Sequence, residues 1–213
     1  MHESGEAEKI YLKRMREVKA RLSFSELQLR AYNQSNDICY LENAILHLRK
    51  SLETTVYAAI APNKKAYAEL RAKAEKPADY RKDYNASKIL LYLSKINKDF
   101  YPIPLQEPTC VAPGNYHFER MQEGYLAKKQ FGKIYDRLGK FLHADNPWDD
   151  DKGYRNISKE LLDVYSKIMN LLRFHCIRVI DMKDSQLWVI EMCGKNESPR
   201  VIKAFAEGEF VIE

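Results

Sequence analysis

No apolar run in these 213 residues approaches the roughly 18–20 residues that a membrane-spanning helix needs. Cysteine is sparse, with 4 residues at Cys39, Cys110, Cys176 and Cys193, and none forms a CxxC pair, so neither a zinc ribbon nor a redox motif is written into the chain. There is no GxxxxGK(S/T) segment and no GxGxxG following a strand, which excludes a P-loop and a dinucleotide fingerprint. HExxH and GxSxG are missing too, so neither a zincin helix nor a nucleophile elbow is present. The opening Met1-His2-Glu3-Ser4-Gly5-Glu6 is polar and acidic and predicts no secretory signal. A chain this long can bury a core without disulfides, so reduced thiols and a cytoplasmic setting are expected.

Hydrophobic residues make up 45% and charged residues 31%, the balance of a globular protein and not of a disordered one. The net charge of +5 is mildly basic. Lys9, Lys13, Arg14, Arg16, Lys19 and Arg21 cluster early, and Lys64, Lys65, Arg71, Lys73, Lys76, Arg81 and Lys82 later. Such runs suit a phosphate backbone. Because Glu6, Glu8, Glu17, Glu69, Glu75, Asp79 and Asp83 interleave with them, they suit a solvated helix face equally.

Tyr11, Met15, Val18, Leu22, Ser25, Leu29 and Tyr32 recur in steps of four and three, which predicts a long amphipathic helix. The polar cluster 33–37 breaks it and supplies a cap for a second helix with the stripe Ile38, Leu41, Ile45, Leu48, Leu52 and Val56. Pro62 stops that helix, and the matched stripes predict antiparallel packing. A shorter, more exposed helix is expected over 64–76, and an apolar one capped by Asn85 carries Ile89, Leu90, Leu93 and Ile96.

Prolines 102, 104, 108 and 113 rule out continuous helix between 98 and 124. Pro113-Gly114-Asn115 between Thr109–Val111 and Tyr116–Phe118 predicts a small hairpin, part of a β excursion or a lid. Helix returns over 126–143 and 157–174. Beyond it, 176–180 and 187–192 have the composition of a β-hairpin, with 201–205 and 210–212 as one or two further strands. The expected architecture is mainly α: an antiparallel helical bundle over 1–175 and a small antiparallel β unit over 176–213 packed on it.

Arg137-Leu138-Gly139-Lys140-Phe141-Leu142-His143 carries the residues with chemical potential. Histidine exchanges a proton near neutral pH, and arginine holds a phosphate or a developing anion. Together they can cleave RNA without metal, His143 moving the proton of the ribose 2′-hydroxyl or of the leaving oxygen and Arg137 stabilising charge on phosphorus. On one helix they stand about 120° and roughly 9 Å apart, a gap that a symmetric dimer would close by pairing two copies. The plain alternative is an exposed charge and a histidine favoured by the dipole at a helix C-terminus. His143, Asp145 and Asp149 could hold a divalent ion, although acids before a helix more often serve as caps, and neither metal nor cofactor is assigned. Arg49 and Glu53, spaced i,i+4, are expected as a surface pair, with His47 beside them facing solvent. Trp148 and Tyr154 could stack on a base but are expected to pack their loop on the core, and Trp188 is expected inside.

The helical pair, the later helix with Arg137 and His143 separated by five residues, and the break after the histidine resemble the HEPN superfamily. The resemblance covers about 38–174. It implies an α-helical bundle, often dimeric, with Arg137 and His143 as the catalytic residues of a metal-independent endoribonuclease of a toxin–antitoxin or antiviral phage-defence system. Other members of that superfamily are non-catalytic and bind nucleotides, RNA or protein partners. Leu138 stands where many active members carry a polar residue, and Gly139 lies inside a helix, where glycine costs roughly 1 kcal/mol relative to alanine. Three classes follow: an RNase, a non-catalytic RNA, nucleotide or protein-binding module, and an assembly subunit.

Overall fold

The computed structural model describes residues 2–74, 79–144, 148, 153–179, 186–193 and 197–202, with the side chains of 2–4 and 186 left aside. It is mainly helical with a small antiparallel sheet towards the C-terminus. The helices are α1 (His2–Ser35), α2 (Ile38–Ile60), α3 (Lys64–Ala72), α4 (Ala86–Ile96), α5 (Lys128–Lys140) and α6 (Tyr154–Leu172). None of the described helices is long and apolar enough to cross a membrane.

The α1–α2 turn follows its residues closely. Asn36 takes the left-handed conformation at φ 56°, tolerated better by asparagine than by most side chains, and its amide donates to the Tyr32 carbonyl at 2.8 Å. Asp37 then caps α2 by accepting from the Cys39 amide at 2.9 Å. The two helices run back antiparallel with their expected stripes buried, except that Ile38 at the start of α2 is exposed and Tyr32 is half-buried, and the Ser25 hydroxyl reaches across to the Ala44 carbonyl at 2.9 Å. Pro62 lies in a buried 3-10 turn, Ala61–Asn63, directly after α2. Asn85 caps α4 through the Lys88 amide at 2.9 Å.

The sheet has the order β1 (Ile103–Pro104), β4 (Phe174–Val179), β5 (Gln186–Glu191) and β6 (Arg200–Ile202), all neighbours antiparallel. Alternation along its strands sorts its two faces. His175, Ile177, Val179, Trp188 and Ile190 face the helices, those apolar side chains joining the same core as Tyr11, Met15, Leu48 and Ile168. Phe174, Cys176 and Val189 face the other way and pack with Leu105, where Phe118 stacks on Phe174 at 5.8 Å. β2 (Thr109–Ala112) and β3 (Asn115–His117) form the expected hairpin, and every residue in both strands is exposed. The expected turn 181–185 and the segments 203–205 and 210–212 lie outside the described residues.

Two buried polar links tie sheet to helices. Asn97, directly after α4, donates to Asn63 Oδ1 at 2.9 Å and to the Arg178 carbonyl at 3.1 Å. On the far side, Tyr11 and His175 meet at 2.8 Å, while His175 Nδ1 lies 2.8 Å from the Leu172 carbonyl. A carbonyl only accepts, so Nδ1 carries the proton and Nε2 receives the Tyr11 hydroxyl. The imidazole is fully buried and its pKa is pushed down to about 4 by loss of solvation, which the Leu172 bond only partly offsets. Lys19 straps the end of the sheet by donating to the carbonyls of Met192 (3.0 Å), Cys193 (3.3 Å) and Glu197 (2.6 Å).

Candidate functional site

α5 begins two residues later than the periodicity predicts, because Leu126 is used as a buried anchor ahead of the helix, its amide bonded to the Lys167 carbonyl at 2.9 Å. It ends at Lys140, so Phe141, Leu142 and His143 form a turn outside it. Phe131, Tyr135 and Leu138 are buried along one side. Arg137 and His143 are both exposed. Leu138 is only 1% accessible, so the residue after the arginine serves the core and is not offered to a ligand. Phe141 holds the turn to the start of α6 by packing on Tyr154, ring centres 5.6 Å apart, and Tyr154 donates to Glu42 at 2.9 Å.

The Arg137 guanidinium turns to α6, where it donates to Glu160 Oε1 at 2.7 Å, both side chains 46% accessible. The structure therefore brings Arg137 to an acid that the sequence does not mark. An ion pair between two helices carries no i,i+4 spacing by which it could be read. Pairs this exposed contribute about 0–1 kcal/mol, so a stronger anion can displace the carboxylate cheaply.

Gly139 has its explanation across the helix interface. A Cβ there would collide with the Arg49 guanidinium, which donates to the Tyr135 carbonyl and lies 3.6 Å over the Tyr135 ring. Arg49 also faces Glu53 at 3.6 Å, and Glu53 accepts from the Tyr135 hydroxyl at 2.8 Å. The expected surface pair is thus a partly buried cluster, at 21% and 25% accessibility. Burial, reinforced by the bond to Glu53, pushes the Tyr135 hydroxyl up to about 12.

Other expectations are corrected by burial. His47 is half-buried: its ring stacks on the exposed Phe24 with centroids 5.4 Å apart, and its Nδ1 is buried without a hydrogen-bond partner among the described residues. Trp148 is 90% accessible and does not pack its loop on the core, whereas Tyr154 does pack and Trp188 is buried as expected. Of the early basic run, Arg14 and Arg21 pair with Glu17 along their own helix, and Lys19 is spent on the carbonyls at the end of the sheet. Arg71 is bound to Asp83 at 2.8 Å with little exposure of either side chain. Asp145 and Asp149 lie outside the described residues, and among those described no cluster of three or more His, Cys, Asp or Glu is placed to hold a metal.

Compared with family models, curated proteins and solved structures, the chain shows no match.

Proposed function

We propose that this chain acts on RNA as a HEPN-like, metal-independent endoribonuclease, with Arg137 binding the scissile phosphate and His143 transferring the proton. The observation that carries this reading is the division of labour at the end of α5. Leu138 and Phe141 are buried and fix the backbone, while Arg137 and His143 stay accessible on either side of them. Glu160 holds the guanidinium through an ion pair that a phosphodiester can replace. A two-fold homodimer, pairing two copies of the end of α5 and the turn after it, would bring two sets of Arg137 and His143 together.

The experiment is an RNA cleavage assay in EDTA with analysis of product ends. Cleavage should persist and leave 2′,3′-cyclic phosphates, since the neighbouring ribose hydroxyl is the nucleophile. His143→Ala should lower turnover by about 10²–10⁴-fold, the usual worth of general acid–base catalysis. Arg137→Ala should impair it and Arg137→Lys rescue it poorly, because lysine lacks the planar fork. Both side chains are exposed, so circular dichroism should be unchanged. Unaltered activity in His143→Ala refutes the site. A second reading, a non-catalytic binding module, is favoured by one observation: Arg137 is already neutralised by Glu160 and followed by a core leucine. RNA bound but left intact would decide for it.

A further inference from the structure

We propose that the cleft at the stem of the β2–β3 arm binds a phosphate monoester carried on an apolar body. The cleft has a volume of about 370 Å³, within the range of small-molecule sites. It is walled by the segment 98–102 that follows α4, by β1, by residues between 120 and 127, and by Lys128 at the start of α5. The stem is fixed by backbone pairing, with the Met121 amide on the Pro104 carbonyl at 3.0 Å and the Gln106 amide on the Glu119 carbonyl at 2.8 Å.

Its lining is electrostatically one-sided. Lys98, Arg120 and Lys128 contribute three positive charges and Asp99 one negative charge, a net +2 from lining residues alone. Asp99 is moreover committed to Arg178 at 3.1 Å, and Arg178 is not part of the wall. The Lys128 ammonium sits 5.4 Å from the centre of the Phe100 ring, which keeps its charge at the cleft. A concave wall with a surplus of one sign raises the local concentration of counter-ions. A phosphate monoester carries about −1.5 to −2 at neutral pH and matches that charge. Ile103, Pro104, Met121 and Tyr125 supply the less polar wall that would cover the organic part.

Lysines 128 and 129 open α5, whose first turn has no acid and whose N-cap, Ala127, offers no side-chain bond. That is the reverse of the charge order a helix start favours. Local conflicts of this kind belong to sites that bind something, and an anion in the cleft relieves it. The inference stands apart from the chemistry of Arg137 and His143, which lie at the other end of α5.

The test is titration of phenyl phosphate into the full chain, followed by calorimetry and by amide shifts at 98–104 and 120–128, with phenol as the uncharged control. Phenyl phosphate should bind saturably and phenol should not. Lys98→Gln should weaken binding about tenfold, and Lys98→Gln with Lys128→Gln further still; both side chains are exposed, and circular dichroism reads the fold independently. A second arm compares a short oligoribonucleotide with and without a 5′-phosphate. Preference for the phosphorylated strand makes a strand end the source of the group, and equal binding makes it a free metabolite. No saturable binding of phenyl phosphate, or affinity unchanged in the folded double variant, overturns the proposal.

Discussion

Lowering the pH from 7.5 to 4.5 puts the His175 contact under direct load. In the folded protein the imidazole is neutral, its Nδ1–H donated to Leu172 and its Nε2 occupied by the Tyr11 hydroxyl, with a pKa of about 4. In the unfolded chain the same ring titrates near 6.5. The unfolded state therefore binds more protons below 6.5, and stability must fall as pH drops through the window from 6.5 to 4. The contribution is complete above 6.5 and lost below 4. A pKa of about 4 against about 6.5 corresponds to about 3 kcal/mol, most of which is lost by pH 4.5. Against a total of about 5–15 kcal/mol that is a substantial fraction. Urea unfolding at half-unit pH intervals should show this slope, and a Tyr11→Phe/His175→Phe double variant should lose it. The double replacement removes both partners of the Tyr11 bond together, so neither is left buried and unpaired. His47, also held below its usual value by burial and by the nearby Arg21 and Lys50, contributes with the same sign. The comparison between parent and variant cancels that share. An identical slope in the two proteins between pH 6.5 and 4.5 would show that His175 does not govern the loss of stability in acid.

Gly139→Ala should destabilise the protein by about 1 kcal/mol despite the gain in helix propensity, because the new methyl displaces the Arg49 guanidinium from Tyr135. In an Arg49→Ala background the same change should stabilise by up to about 1 kcal/mol, so a double-mutant cycle by urea unfolding checks the sign. Asn97→Ala strips partners from Asn63, the Arg178 carbonyl and the Asp99 amide, and should cost about 2–3 kcal/mol by thermal or urea unfolding.

The helical part of this architecture was legible because its stripes are long. Seven positions from Tyr11 to Tyr32 and six from Ile38 to Val56 leave little choice of face, and Asp37 and Asn85 are capping residues at the right places. The hairpin at 109–117 was legible from Pro113-Gly114-Asn115. β1 was not, since a two-residue strand ending in proline has neither period nor β composition; only its partner, β4, defines it. At the candidate site the sequence supplied Arg137 and His143 but not what surrounds them. Glu160 reaches Arg137 from another helix, and Arg49 reaches Gly139 from 90 residues earlier. The oddity of a glycine within α5 was visible in the sequence, but its cause lay on α2, and no local pattern could connect the two.

The reach of α1 across the molecule sets an order of events during synthesis. Tyr11 packs on His175 and Trp188, ring centres 6.1 Å apart in each case, and Lys19 holds carbonyls at 192, 193 and 197. These partners leave the ribosome some 160–180 residues after the helix does. The α1–α2 hairpin can form early from local contacts, but Tyr11 and Lys19 must wait for partners on the last strands. At about 5–20 residues per second that wait lasts on the order of 10–30 seconds. Contacts so distant in sequence also slow closure of the core once the chain is complete. The nascent protein is therefore open to aggregation at the face of α1 marked by Tyr11 until the sheet closes over it.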